Sequence, residues 1–202
     1  MTRSWVSWHE ARDLGAAWLL LGLAFAFYRV PVSPTTLTDV LASQVFARAF
    51  ALSLATVGVA FLLHELAHKA VALRFGQEAE FRADYGMLGL AVAGGLAGFL
   101  FAAPGAVHHR GYITPRENGL IALAGPLMNV VLGAVSLVVL VTVAPRVGYW
   151  GVFINVLLAG FNMIPFGPLD GATVLEWSTT AYALSAVVTI GPAVLFFAGV
   201  LV

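Results

Sequence analysis

This sequence predicts an all-α polytopic membrane protein of about five to six transmembrane helices, with one apolar block suited to a re-entrant element. Three observations carry that prediction. Of 202 residues, 60% are hydrophobic and only 10% are charged, with a mean hydropathy of +0.93. A soluble domain of this size has too little interior to hide so much apolar surface, so lipid must be the solvent for much of it. The apolar residues also fall in six blocks, near 14–30, 49–73, 86–107, 119–144, 149–166 and 181–202, each close to the roughly 20 residues that cross a bilayer as a helix. The polar connections between blocks are short.

The first block follows Arg3 and Arg12 and holds the triplet Ala24-Phe25-Ala26, which raises a cleaved signal peptide as a reading. The leading segment is long and mixed in charge, with Trp5, Trp8, Glu10 and Asp13, so a retained helix is expected. "PVSPTTLTD" at 31–39 reads as a Pro/Thr loop, and "RFGQEAEFRADYG" at 74–86 and "HHRGYITPREN" at 108–118 as charged turn regions. With no internal repeat and no soluble appendage in view, residues 1–202 are expected to form a single membrane-embedded domain. Its core is placed at 49–180, with an N-terminal helix at 14–30 and a C-terminal helix at 181–202.

The 86–107 block is interrupted by Gly86, Gly89, Gly94, Gly95, Gly98, Pro104 and Gly105. Such a block suits a re-entrant element, tolerated at membrane depth where protein covers the backbone; an ordinary helix packed through small residues is the alternative. Ten basic residues balance ten acidic ones, and no basic cluster with interleaved aromatics is available to track a phosphate backbone, so no nucleic-acid partner is expected. The chain has no cysteine, which excludes disulfides, thiolate metal sites and a Cys nucleophile.

Chemistry concentrates in "HELAH" at 64–68. On a helix, His64 and His68 lie one turn apart on one face and can reach a single ion, with Glu65 placed to work on water activated there. Polar side chains cost about 2–3 kcal/mol each inside a bilayer, so their presence in an apolar run points to function. A catalytic zinc site needs a third protein ligand. Asp170, Glu176, His108, His109 and Asp84 are the candidates; Asp170 stands in "FNMIPFGPLDG" at 161–171, where Pro165, Gly167, Pro168 and Gly171 break any helix.

With "AGPLMN" at 124–129 and "NMIPFGPLDG" at 162–171 following HELAH in order, the chain resembles the site-2 protease family of intramembrane zinc metalloproteases over about residues 49–180. The resemblance implies one Zn²⁺ per chain held by His64, His68 and Asp170, with Glu65 as catalytic base. It implies supporting or substrate-binding roles for Gly125, Pro126, Asn129 and Asn162, and a strand near the site that pairs with an unwound substrate. "GAVHHRGYI" at 105–113 is the candidate strand, with Val107 and His108 in it. The implied activity is hydrolysis of a peptide bond in or near a transmembrane segment of a protein or peptide substrate, in the lipid bilayer of a prokaryotic plasma membrane. A zinc transporter or non-hydrolytic metal-binding membrane protein is the rival reading, and a prenyl-tail type of membrane protease, using Glu176, a second.

Topology supplies a check. For Asp170 to meet His64, the 86–107 block must make no net crossing. Arg3, Arg12, Lys69, Arg74, Arg82, Arg110 and Arg116 then share one side, with Arg48 and Arg146 opposite, which turns the site toward the cytoplasm.

Overall fold

The computed structural model describes residues 5–33, 35–99 and 104–200. It is mostly helical, with one two-stranded sheet. The chain divides into two compact units, Met1–Leu62 with Glu80–His108 and Leu63–Ala79 with His109–Val202.

In the first unit, Ser7 caps α1 (Trp8–Arg29) by accepting from the Glu10 amide. After a one-turn α2 (Leu37–Leu41), α3 (Gln44–Ser53) is capped by Ser43 and runs through a π-helical turn, Leu54–Gly58, into α4 (Val59–Arg74). Trp18 Nε1 donates to the Leu54 carbonyl at 3.0 Å. A π turn shifts the ladder by a residue, and a side-chain donor at a shifted carbonyl stabilises it. Gly22 and Gly58 let α1 close on this turn, since a Cβ on either would overlap Leu54 or Trp18. The core gathers Ala17, Leu21, Phe61, Phe81 and Leu88.

The 74–86 region is not all turn. It holds β1 (Glu78–Ala83), which pairs antiparallel with β2 (Gly105–Arg110). The outer amides of β1 are taken by carboxylates of α1: Phe81 N–H donates to Glu10 Oε1 at 3.0 Å and Ala83 N–H to Asp13 Oδ2 at 3.2 Å. Side chains 71 and 70 residues away in sequence thus satisfy a strand edge that would otherwise need another strand. Between the strands, α5 (Tyr85–Leu96) is capped by Asp84, which accepts from the Met87 amide. Its twelve residues rise about 18 Å, short of the roughly 30 Å hydrocarbon core, and the Asp84 amide donates to the Pro104 carbonyl at 3.0 Å. The glycine-rich block therefore ends where it began.

In the second unit, α6 (Pro115–Thr142) starts on a reciprocal capping box between Thr114 and Glu117. It pairs with α7 (Pro145–Asn162), and α8 (Asp170–Trp177), α9 (Thr179–Phe197) and the part of α4 from Leu63 onward complete the unit. Ala122, Met163 and Val174 form one buried cluster, and Val152, Val156 and Phe196 another.

Among the described residues, four helices are long and apolar enough to cross a membrane: Trp8–Arg29, Gln44–Arg74, Pro115–Thr142 and Thr179–Phe197. This is fewer than the five or six expected, for two reasons. The 86–107 block supplies only the short α5, and the 149–166 block supplies α7, whose eighteen residues include Arg146, Asn155 and Asn162.

Candidate metal centre

α4 presents His64 and His68 from one face, as their spacing requires, and both are buried together with Glu65. Facing them is Asp170, the first residue of α8. Its place follows from the irregular stretch after α7: Gly167 turns the chain at φ +62°, and Gly171 lets α8 sit on the Met163 carbonyl, which a Cβ there would strike. The start of a helix also favours a negative charge.

His64 and His68 Nε2 lie 3.0 Å apart, and each is 3.4 Å from Asp170 Oδ2. The other ring nitrogens are engaged. His68 Nδ1 lies 2.7 Å from the Ile121 carbonyl and His64 Nδ1 2.6 Å from Asn129 Oδ1. A carbonyl oxygen can only accept, so both Nδ1 atoms donate and, in the neutral rings, both Nε2 atoms carry bare lone pairs. Asp170 Oδ2 is buried with no hydrogen-bond partner. Three acceptors thus converge with no donor among them, an arrangement that a cation satisfies. Their separations match the edge of about 3.3 Å expected for tetrahedral zinc with bonds near 2.0–2.1 Å. Two imidazoles and a carboxylate are a zinc-type donor set, and each histidine has the outer hydrogen bond that orients a ligating ring.

α6 closes one side of this cradle. A Cβ on Gly125 would overlap His68 Nε2 and His64 Nε2, so only glycine fits. Pro126, buried beside it, has no N–H for the carbonyl one turn back at Ala122, which interrupts the helix ladder next to the Ile121 carbonyl that holds His68. Asn129 is wholly buried and bonded to His64, and its Nδ2 donates to Asn155 Oδ1 at 2.9 Å.

Among the described residues, His64, His68 and Asp170 are the one grouping of three such side chains with ligand atoms within 4.8 Å of one another. The other residues singled out in the sequence lie elsewhere. Asp84 caps α5, and Glu176 is exposed on α8. His108 is exposed on β2, and Val107 packs against the core of the first unit. Asn162 Nδ2 bonds back to the Leu158 carbonyl of its own helix at 2.9 Å. Asn155 was missed by sequence reasoning; the available signal was a polar residue in an apolar helix, in line with Gly148 and Gly151.

No family model and no solved structure matches the chain, but several curated proteins do. It is 44% identical over 149 residues to MJ0611 of Methanocaldococcus jannaschii, provisionally named a zinc metalloprotease, a match covering 70% of this chain and 78% of that one. YwhC of Bacillus subtilis, also provisionally named a zinc metalloprotease, is 30% identical over 148 residues, covering 60% of this chain and 66% of its own. The zinc metalloprotease MJ0392 of Methanocaldococcus jannaschii is 31% identical over 124 residues, 58% of this chain and 31% of the relative. An imidazole-imidazole-carboxylate cradle and a relationship of this closeness lead to one conclusion: the chain belongs to the site-2 protease family of zinc metalloproteases.

Proposed function

We propose that this protein is an intramembrane zinc endopeptidase that hydrolyses a peptide bond in or near a transmembrane segment of a membrane-protein substrate. The observation that carries the reading is the convergence of His64 Nε2, His68 Nε2 and Asp170 Oδ2 at the end of a helix apolar enough to cross a membrane. Zinc bound there supplies a Lewis acid that polarises a substrate carbonyl and lowers the pKa of water toward neutrality. The side chains do the rest. The hydrogen bonds at Nδ1 fix the rings of His64 and His68 with Nε2 toward Asp170. Asp170 brings one negative charge. Glu65, buried between the histidines in sequence, takes the proton of the attacking water and returns it to the leaving amine.

The same reading makes the protein a multi-pass membrane protein with the site toward the cytoplasm. Seven basic residues then fall on the cytoplasmic side and three, Arg29, Arg48 and Arg146, opposite. The meeting of Asp84 and Pro104 supports the re-entrant form of the 86–107 block on which this topology depends.

A cleavage assay in detergent, using a transmembrane peptide with a helix-destabilising centre, tests the proposal. Cleavage is expected to stop on chelation and to return with zinc. The Glu65→Gln protein should keep its zinc and lose cleavage, because the amide preserves size while removing the base. Cleavage unaffected by chelator, or undiminished in Glu65→Gln, would exclude this mechanism; zinc binding without cleavage in the wild type would favour a transporter.

A further inference from the structure

Three hydrogen bonds in and beside the seam between α6 and α7 orient two buried amides and one imidazole ring. Asn155 Nδ2 lies 2.9 Å from the Gly151 carbonyl, which can only accept. The Asn155 amide is therefore oriented, with Oδ1 turned toward α6. That oxygen in turn can only accept, and its partner at 2.9 Å is Asn129 Nδ2. Asn129 Oδ1 is thereby directed at His64 Nδ1, at 2.6 Å, and the ring must donate. Both amides are buried, Asn129 at 0% and Asn155 at 4% exposure, where a misdirected polar atom finds no water to correct it.

We propose that Asn155 is a positioning residue for the metal centre: acting through Asn129, it holds His64 as the Nδ1–H tautomer, with the Nε2 lone pair facing His68 and Asp170. This inference rests on the reading of that site as a zinc centre. The two ends of an asparagine amide are alike in shape and opposite in chemistry. If Asn129 were reversed, its Nδ2 would face His64 Nδ1 and favour the tautomer protonated on Nε2, the atom that must ligate. Asn155 provides an anchor against that reversal, and it is itself anchored to backbone. The seam is built to bring the amides together. A Cβ on Gly151 would overlap Ser136 and one on Gly148 the backbone of Leu140, while one on Gly133 would meet Asn155 Cβ at an ordinary contact distance. Gly148, Gly151 and Asn155 share one face of α7, and Asn129, Gly133 and Ser136 one face of α6.

The test uses the full chain in detergent, stripped of metal, with zinc affinity measured by competition against a chromophoric chelator and with the visible ligand-field bands of added Co²⁺. Asn155→Leu should weaken zinc about 10–100-fold and change the Co²⁺ bands, while the metal-free protein keeps its helix content and melts lower, having lost the acceptor of the buried Asn129 Nδ2. Asn155→Asp still accepts from Asn129 and, if protonated, still donates to Gly151; it should bind zinc within about threefold of wild type, where a tenfold change corresponds to 1.4 kcal/mol. Unchanged affinity in Asn155→Leu would overturn the proposal. So would equal losses in the Leu and Asp variants, since that would mean a packing role alone. Wild-type protein that binds neither metal would overturn the zinc reading as well.

Discussion

The amide of Asp84 donates to the carbonyl of Pro104 at 3.0 Å, so the glycine-rich block leaves and returns at one point. A crossing would part these two residues by the thickness of a bilayer. In this cysteine-free chain, single cysteines at Arg82 and Arg110, both exposed on the sheet, are therefore expected to react with an impermeant thiol reagent from the same side of sealed vesicles. Labelling from opposite sides would remove the re-entrant topology, and with it the cytoplasmic placement of the site.

The block is packed against α1 as well as returned. A Cβ on Gly95 would drive into the Ala24 carbonyl, a backbone atom that cannot swing aside, whereas Gly89 has nothing within 4 Å. Gly95→Ala should destabilise the protein by about 1–3 kcal/mol, the usual range for overpacking. Gly89→Ala, on an exposed helix position, should be neutral or gain about 0.5–1 kcal/mol. Thermal unfolding of the two variants checks this. Equal melting temperatures would mean that α5 is not held on α1.

How much of this was legible in the sequence follows from the range of the interactions involved. HELAH announced its own geometry, because i and i+4 share a helix face whatever surrounds them. The third ligand stayed open among five residues on the residues alone, because the path of 163–169 depends on Gly171 seating α8 against Met163, a tertiary contact. β1 was hidden for the same reason. Glu78–Ala83 carries three charged residues and looks like a turn until Glu10 and Asp13 of α1 satisfy its outer amides. Asn155 escaped because its meaning lies in the pairing of α6 with α7, which periodicity in either helix alone does not show.

In the proposed zinc site Asp170 supplies an oxygen ligand and a negative charge, its Oδ2 lying 3.4 Å from Nε2 of both His64 and His68. Asp170→Ala should lower zinc affinity by well over the 10–100-fold typical of an outer-shell change, and Asp170→Asn, which keeps an oxygen but not the charge, should fall between it and wild type. Zinc content after dialysis against a weak chelator ranks the three. An Asp170→Ala protein that retained stoichiometric zinc would rule this carboxylate out as a ligand.

Gly125 is the last residue of the cradle to constrain. A methyl group added there would overlap His64 and His68 at the ring nitrogens that face Asp170, whereas one added at Gly133, two turns along the same helix, would meet Asn155 Cβ at 3.6 Å, an ordinary contact. Both substitutions raise helix propensity by a similar amount, so any difference between them reports on the site and not on α6. Gly125→Ala should cut zinc affinity at least tenfold and abolish cleavage, because the rings can relieve the overlap only by turning away from Asp170 and giving up the hydrogen bonds to Asn129 and Ile121. Gly133→Ala should leave both unchanged. Titration of the two variants against a zinc-selective chelator decides the matter; equal affinities would mean that α6 does not close on the histidines, and that the orientation of His64 and His68 is set by α4 alone.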